Sequence, residues 1–155
     1  MYVFDTSSFI RVSHYYMDRF PTFWENVASY VSDGKLVSVR EVHKELINTS
    51  DERAFDEWVK KNKPIFKPAT GEETSFLSLL FATKNFRDNL NKRHIQQGMP
   101  VADPFLVAYA KVHGATVVTE ERYRPNAAKI PNMCDHFGIP CKTLLGFMTD
   151  EDWVF

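Results

Sequence analysis

Residues 103 to 119 carry one helix and one strand whose limits are marked by the residue types themselves. Asp103 stands where a helix N-cap is wanted and Pro104 where the first helical residue belongs, because proline's missing N–H is no loss in the first turn. Phe105, Leu106, Tyr109, Ala110 and Val112 follow at helical spacing, and Gly114 takes the position favoured just past a helix end. Ala115 to Thr119 is then a short β-branched run without polar alternation, the pattern of a strand covered on both faces. Helices alternating with such strands make a parallel sheet, since parallel neighbours need a crossover that lies over the sheet.

The rest of the chain repeats this alternation. Tyr2-Val3-Phe4 reads as a strand and Thr6-Ser7-Ser8 as the opening of a helix. Pro21 to Asp33 is helical in its spacing of Phe23, Trp24, Val27 and Val31, and Gly34 closes it; Leu36 to Val39 is the next strand. Arg40 to Asn48 reads as a helix with Val42 and Leu46 on one face. Asp51 can cap another that carries Phe55, Trp58 and Val59 and stops at Pro64. Glu72 to about Thr83 is amphipathic, with a polar continuation through His94, and residues 98 to 102 form a turn. A short helix over Asn132 to Phe137, ended by Gly138, leads to a weak strand near Cys141 to Leu144 and a tail closing in Trp153-Val154-Phe155. The expected architecture is a single-domain three-layer α/β/α fold with a central parallel sheet. At 155 residues such a domain buries roughly two thirds of its unfolded surface, and thirteen Phe, six Tyr and three Trp supply the bulk.

Composition removes several function classes. No apolar run approaches the roughly 20 residues of a membrane span, and Met1 leads straight into a strand; no membrane partner is expected, and a cytoplasmic location is. Cys134 and Cys141 lack the spacing and companions of a zinc site and read as ordinary thiols. Nineteen basic against twenty acidic residues leave a formal charge of −1, so no general affinity for polyanions follows from the balance. The cations gather in three stretches: Lys60 to Lys67; Arg87, Lys92, Arg93 and His94; and Arg122, Arg124 and Lys129. Each is readable as a solvated helix end or loop.

The acids are more telling. Asp5 directly follows the first strand and Glu120-Glu121 follows the strand after Gly114, and parallel strands all finish on one edge. Asp103 opens a helix that starts at that edge, and Glu45 lies on the helix after the second strand. Singly, each has a plain role as cap or surface charge. Together they would repel one another unless a cation neutralises them, and oxygen donors without His or Cys suit Mg²⁺ or Mn²⁺.

These residues sit in four strings that resemble, in order, the motifs of PIN domains. Tyr2-Val3-Phe4-Asp5-Thr6-Ser7 resembles the family's opening strand, and residues 37 to 46, ending in Glu45-Leu46, its second motif. Residues 101 to 110 around Asp103 are similar to the third, and Ala115 to Glu121 to the fourth, except that Glu121 stands where the family has Asp. The resemblance implies a PIN-like fold and a metal-dependent ribonuclease of the VapC-like toxin kind. Asp5, Glu45, Asp103 and Glu121 would be its catalytic metal ligands, with Glu120 as the competing fourth acid. It further implies Thr6 or Thr119 positioning a water, an RNA substrate, an antitoxin protein as partner, and a homodimer. An acidic site needs cations for the substrate's phosphates, which favours Arg122, Arg124 and Lys129 as RNA contacts. Two alternatives belong to other classes. A Mg²⁺-dependent phosphatase would carry Asp-x-Asp after the first strand, where this chain has Ser7; a catalytically inactive PIN-like binding protein would keep the acids as caps and surface charges.

Overall fold

A computed structural model of the protein describes residues 1–47, 53–98 and 101–155. Five short parallel strands form its sheet: β1 (Tyr2–Phe4), β2 (Leu36–Val39), β3 (Phe66–Lys67), β4 (Thr116–Val118) and β5 (Cys141–Lys142). Their spatial order is β3-β2-β1-β4-β5. The chain therefore starts at the centre, moves outward on one side, and returns to fill the other. The strand order reverses between β1 and β4, and the crevice outside the carboxyl ends of two such strands is where ligands bind in open α/β sheets. Phe4 pairs with Val118 across that junction, so Asp5 and Thr119 come level at its mouth.

The helices are α1 (Thr6–Ser13), α2 (Pro21–Ser32), α3 (Arg40–Leu46), α4 (Arg53–Lys61), α5 (Gly71–Ala82), α6 (Lys84–Gln97), α7 (Asp103–His113), α8 (Ile130–Phe137) and α9 (Leu144–Asp150). One face of the sheet is covered by α7, which crosses β1, β2 and β4 and carries α5 and α8 against it. Residues of α7 such as Leu106, Val107 and Ala110 are buried there with Val3 and Val117. The other face is aromatic. Phe147 of α9 meets Tyr2 and Phe4 edge-on, with ring centroids 4.7 and 5.3 Å away, and Tyr30 of α2 at 5.7 Å. This is the expected three-layer α/β/α arrangement about a parallel sheet. No helix among the described residues is long and apolar enough to cross a membrane.

Several boundaries differ from the sequence expectation. Asp103 is not the N-cap of α7 but its first residue; Ala102 takes the cap position in a right-handed helical conformation, and no side chain caps the end. The long polar stretch after α5 is a separate helix, because Thr83 turns extended (ψ 105°) between them. The two-residue β3 is too short to leave a hydrophobic pattern. Where a tail was expected, α9 forms: Thr143 caps it by accepting from the Gly146 N–H at 3.1 Å, and Leu144, Phe147 and Met148 supply a buried stripe. The proposed cap Asp51 and residues 99 and 100 of the expected turn lie outside the described residues.

Candidate functional site

Asp5 leaves β1 at the sheet's carboxyl edge and caps α1. Its Oδ1 accepts from the Ser8 N–H at 2.7 Å, its Oδ2 from the Thr119 hydroxyl at 2.7 Å, and Ser7 Oγ donates to both oxygens at 3.0 and 2.8 Å. Burial pushes its pKa up, against the pull of those hydrogen bonds. The crevice is thus stitched at its base: Thr119, just past β4, and the first turn of α1 both hold the carboxylate of Asp5, just past β1.

Glu45 reaches the same edge from α3. Its carboxylate accepts from the Thr6 hydroxyl and, at 3.2 Å, from the backbone N–H of Ala102 just before α7. One turn earlier Glu41 is buried; it faces Arg40 at 3.3 Å through Oε1, and its Oε2 meets no partner among the described residues. Asp103, buried at the start of α7, accepts from Arg93 Nη1, which also donates to the Ala128 carbonyl at 3.3 Å. The Asp103 pKa is pushed up to about 7 by burial first and then by the negative charges of Glu121 and Asp5; Arg93 counters them only in part. Burial works against the Arg93 charge, yet Asp103, and after it Glu121 and Glu45, hold its pKa above the ordinary value. One guanidinium thus pairs with Asp103 and is also acted on by the charges of Glu121 and Glu45.

The two neighbouring acids after β4 take different partners. Glu120 turns away: its Oε1 accepts from the Leu144 N–H at 2.8 Å, where α9 begins, and its Oε2 stands 3.8 Å from Arg11. Glu121 bears on Asp103, while its own oxygens accept from Lys129 Nζ at 2.7 Å and the Ile130 N–H at 2.9 Å at the start of α8. Lys129, expected to face RNA, is thus turned onto an acid of the crevice. Thr6 and Thr119, expected to hold a water, have their hydroxyls on Glu45 and Asp5. Arg122 and Arg124 are exposed on the loop beyond β4, which Asn132 fastens by accepting from the Arg124 N–H and donating to the Arg124 carbonyl. The residue that sequence reasoning missed is Arg93, which it placed in a solvated basic stretch.

All of these residues fall in one stretch of family similarity. Residues 2–155 match the family described as "Domain of unknown function (DUF4411)". The chain belongs to the DUF4411 family. No curated protein matches it. Among solved structures, this DUF4411 chain is similar to PAE2754 from Pyrobaculum aerophilum at 14% identity, over 88% of this chain and 96% of that one, with a TM-score of 0.43. It is also similar to VapBC2 from Rickettsia felis, solved bound to a DNA fragment from their promoter, at 12% identity over 92% and 97% of the two chains, with a TM-score of 0.44.

The DUF4411 site has the donor chemistry of a hard divalent ion, four carboxylates and no imidazole or thiolate among them. Its arrangement is another matter. Among the described residues no three His, Cys, Asp or Glu side chains are gathered so as to hold one ion. Asp103 is drawn to Arg93, Glu121 to Lys129 and the α8 terminus, and Glu45 to Thr6 and Ala102. The residue types fit a metal and the present pairing does not.

Proposed function

We propose that this protein is a metal-dependent endoribonuclease that hydrolyses RNA phosphodiester bonds, leaving 5′-phosphate and 3′-hydroxyl ends, and acts as the toxin of a toxin-antitoxin pair. The observation that carries this reading is Asp103, a buried carboxyl under the negative charges of Glu121 and Asp5 at the strand-order reversal. Packing like charges together in a crevice is costly for stability and is a usual mark of a site with a task. Asp5, Glu45, Asp103 and Glu121 are the residues to hold Mg²⁺ or Mn²⁺, which supplies Lewis-acid chemistry to the phosphodiester. Thr6, Thr119 and Ser7 orient Glu45 and Asp5 through the hydrogen bonds described above. Arg122 and Arg124 take the RNA phosphates, and the half-exposed ring of Tyr123 between them offers a surface for an unpaired base.

Cleavage of a labelled single-stranded RNA by the purified chain should require Mg²⁺ or Mn²⁺ and stop with EDTA. Asp103→Asn, which keeps the side-chain volume and an acceptor for Arg93, should lower the rate by roughly 10²-fold or more while its melting temperature stays near that of the native chain. Full activity in that variant would remove Asp103 from the chemistry. A second reading, a binding protein without catalysis, is favoured by one observation: Asp5, Glu45, Asp103 and Glu121 all accept hydrogen bonds from groups of the protein itself. Absence of both cleavage and Mn²⁺ uptake by the native chain would establish it.

A further inference from the structure

We propose that Arg93 is an internal counter-ion standing in the place of the divalent ion, so that metal enters this site only by displacing the guanidinium. The inference rests on the metal-site reading above and deepens it by naming what regulates occupancy. Arg93 comes from α6, which contributes none of the four acids, and its head reaches across to Asp103 at the start of α7 and to the Ala128 carbonyl in the loop before α8. It is thus a clasp between three segments that border the crevice. Arg93 pairs with Asp103 as Lys129 does with Glu121, and the charges of Glu121 and Glu45 also act on the Arg93 guanidinium.

The geometry also supplies an exit. The Arg93 side chain is 26% exposed where that of Asp103 is 10% exposed, so Arg93 keeps contact with solvent into which it can withdraw. In a partly buried site the charge-assisted hydrogen bond between Arg93 and Asp103 is strong, and breaking it is subtracted from the ion's own binding energy. Apparent metal affinity is then the intrinsic affinity reduced by the fraction of molecules in which Arg93 has left. Arg93 keeps the metal-free site from repelling itself and sets the metal concentration at which the site fills.

Calorimetric titration of Mn²⁺ into the chelator-stripped full chain tests this with Arg93→Gln, whose side chain has similar reach and no charge. The variant should bind Mn²⁺ about tenfold more tightly than the native chain or better. Its metal-free melting temperature should fall, and Mn²⁺ should raise it by more than in the native protein. A variant that folds and binds Mn²⁺ no more tightly overturns the proposal, with native uptake showing that the metal reading survives. Native and variant chains that both take up no Mn²⁺ overturn the metal reading and this proposal together. Should Arg93→Gln fail to fold, the unaltered chain decides: in ¹⁵N spectra the Arg93 Nε–H resonance should move to that of a solvated arginine at saturating Mg²⁺. An unmoved resonance at saturation overturns the proposal.

Discussion

Glu121 shows what one extra methylene does at a strand end. Its longer side chain reaches past the crevice floor to the N-terminus of α8, where a carboxylate is favoured by the free N–H groups, and it still bears on Asp103. Glu121→Gln should therefore lower RNA cleavage sharply and raise the Mg²⁺ concentration needed. Glu120→Gln should leave both unchanged and cost about 1 kcal/mol of stability at the start of α9. Steady-state rates across a Mg²⁺ series, with urea melts of both variants, check the pair; a silent Glu121→Gln would leave Asp5, Glu45 and Asp103 as the working set. Asp103 itself should write a pH signature on the metal-free chain. A carboxyl whose folded pKa is raised to about 7 keeps a proton that the unfolded chain releases near 3.8. Its contribution to stability is therefore complete below pH 3.8 and lost as pH rises through 7. Asp103→Asn should flatten that decline in urea melts run in EDTA between pH 4 and 8, and an unchanged decline would assign it to other groups. The acids were legible in sequence because strand ends and a helix start can be located from local pattern. Arg93 was not, since only the packing of α6 beside α7 separates it from Arg87, an exposed neighbour paired with Asp88.

At the scale of elements, the misread boundary before α7 has a plain cause. Asp-Pro is the usual signature of a capped start, but here the Asp103 carboxyl is taken by Arg93, and the chain turns helical one residue sooner, at Ala102 (φ −69°, ψ −29°). Tertiary charge pairing overrode a local preference. The strand after Gly114, the glycine stops at Gly34, Gly114 and Gly138, and the helix over residues 21 to 32 all follow local rules, and all were legible. The missed α9 is secured from a distance. Tyr2 and Tyr30 both donate their hydroxyls to the Glu151 carboxylate just past its end. Those two bonds hold the Glu151 pKa below its ordinary value, so the stability it lends is complete above pH 4.5 and lost as pH falls through the lowered value. On the alkaline side Tyr2, its pKa pushed up to about 12 by burial and by Glu151, lends stability below pH 10 that is lost as pH rises through 12. Glu151→Gln should therefore blunt the acid limb of the stability profile in denaturation curves taken from pH 7 to pH 3. A variant with the native acid limb would show that the carboxylate is not what ties α9 down.

Across the whole molecule the two faces of the sheet divide their duties. The face under α2 and α9 is a continuous aromatic layer, and Phe147→Ala at its centre should cost about 3–5 kcal/mol in urea melts without altering Mn²⁺ affinity, because it lies on the far side from α7. A cost under about 1 kcal/mol would mean that the layer closes over the gap. The crevice edge carries the charge, and reversing Arg122 and Arg124 should weaken RNA binding and flatten its dependence on salt while Mn²⁺ uptake persists. Unchanged affinity would move the substrate's path elsewhere, with Lys60 to Lys67 the next stretch to test. The contact of Tyr2 with Glu151 has a practical corollary. Tyr2 opens the middle strand and Glu151 follows the last helix, so their hydrogen bond latches α9 at the pole where the strands begin, and loosening that latch acts at the far end of β1 from Asp5 and the crevice.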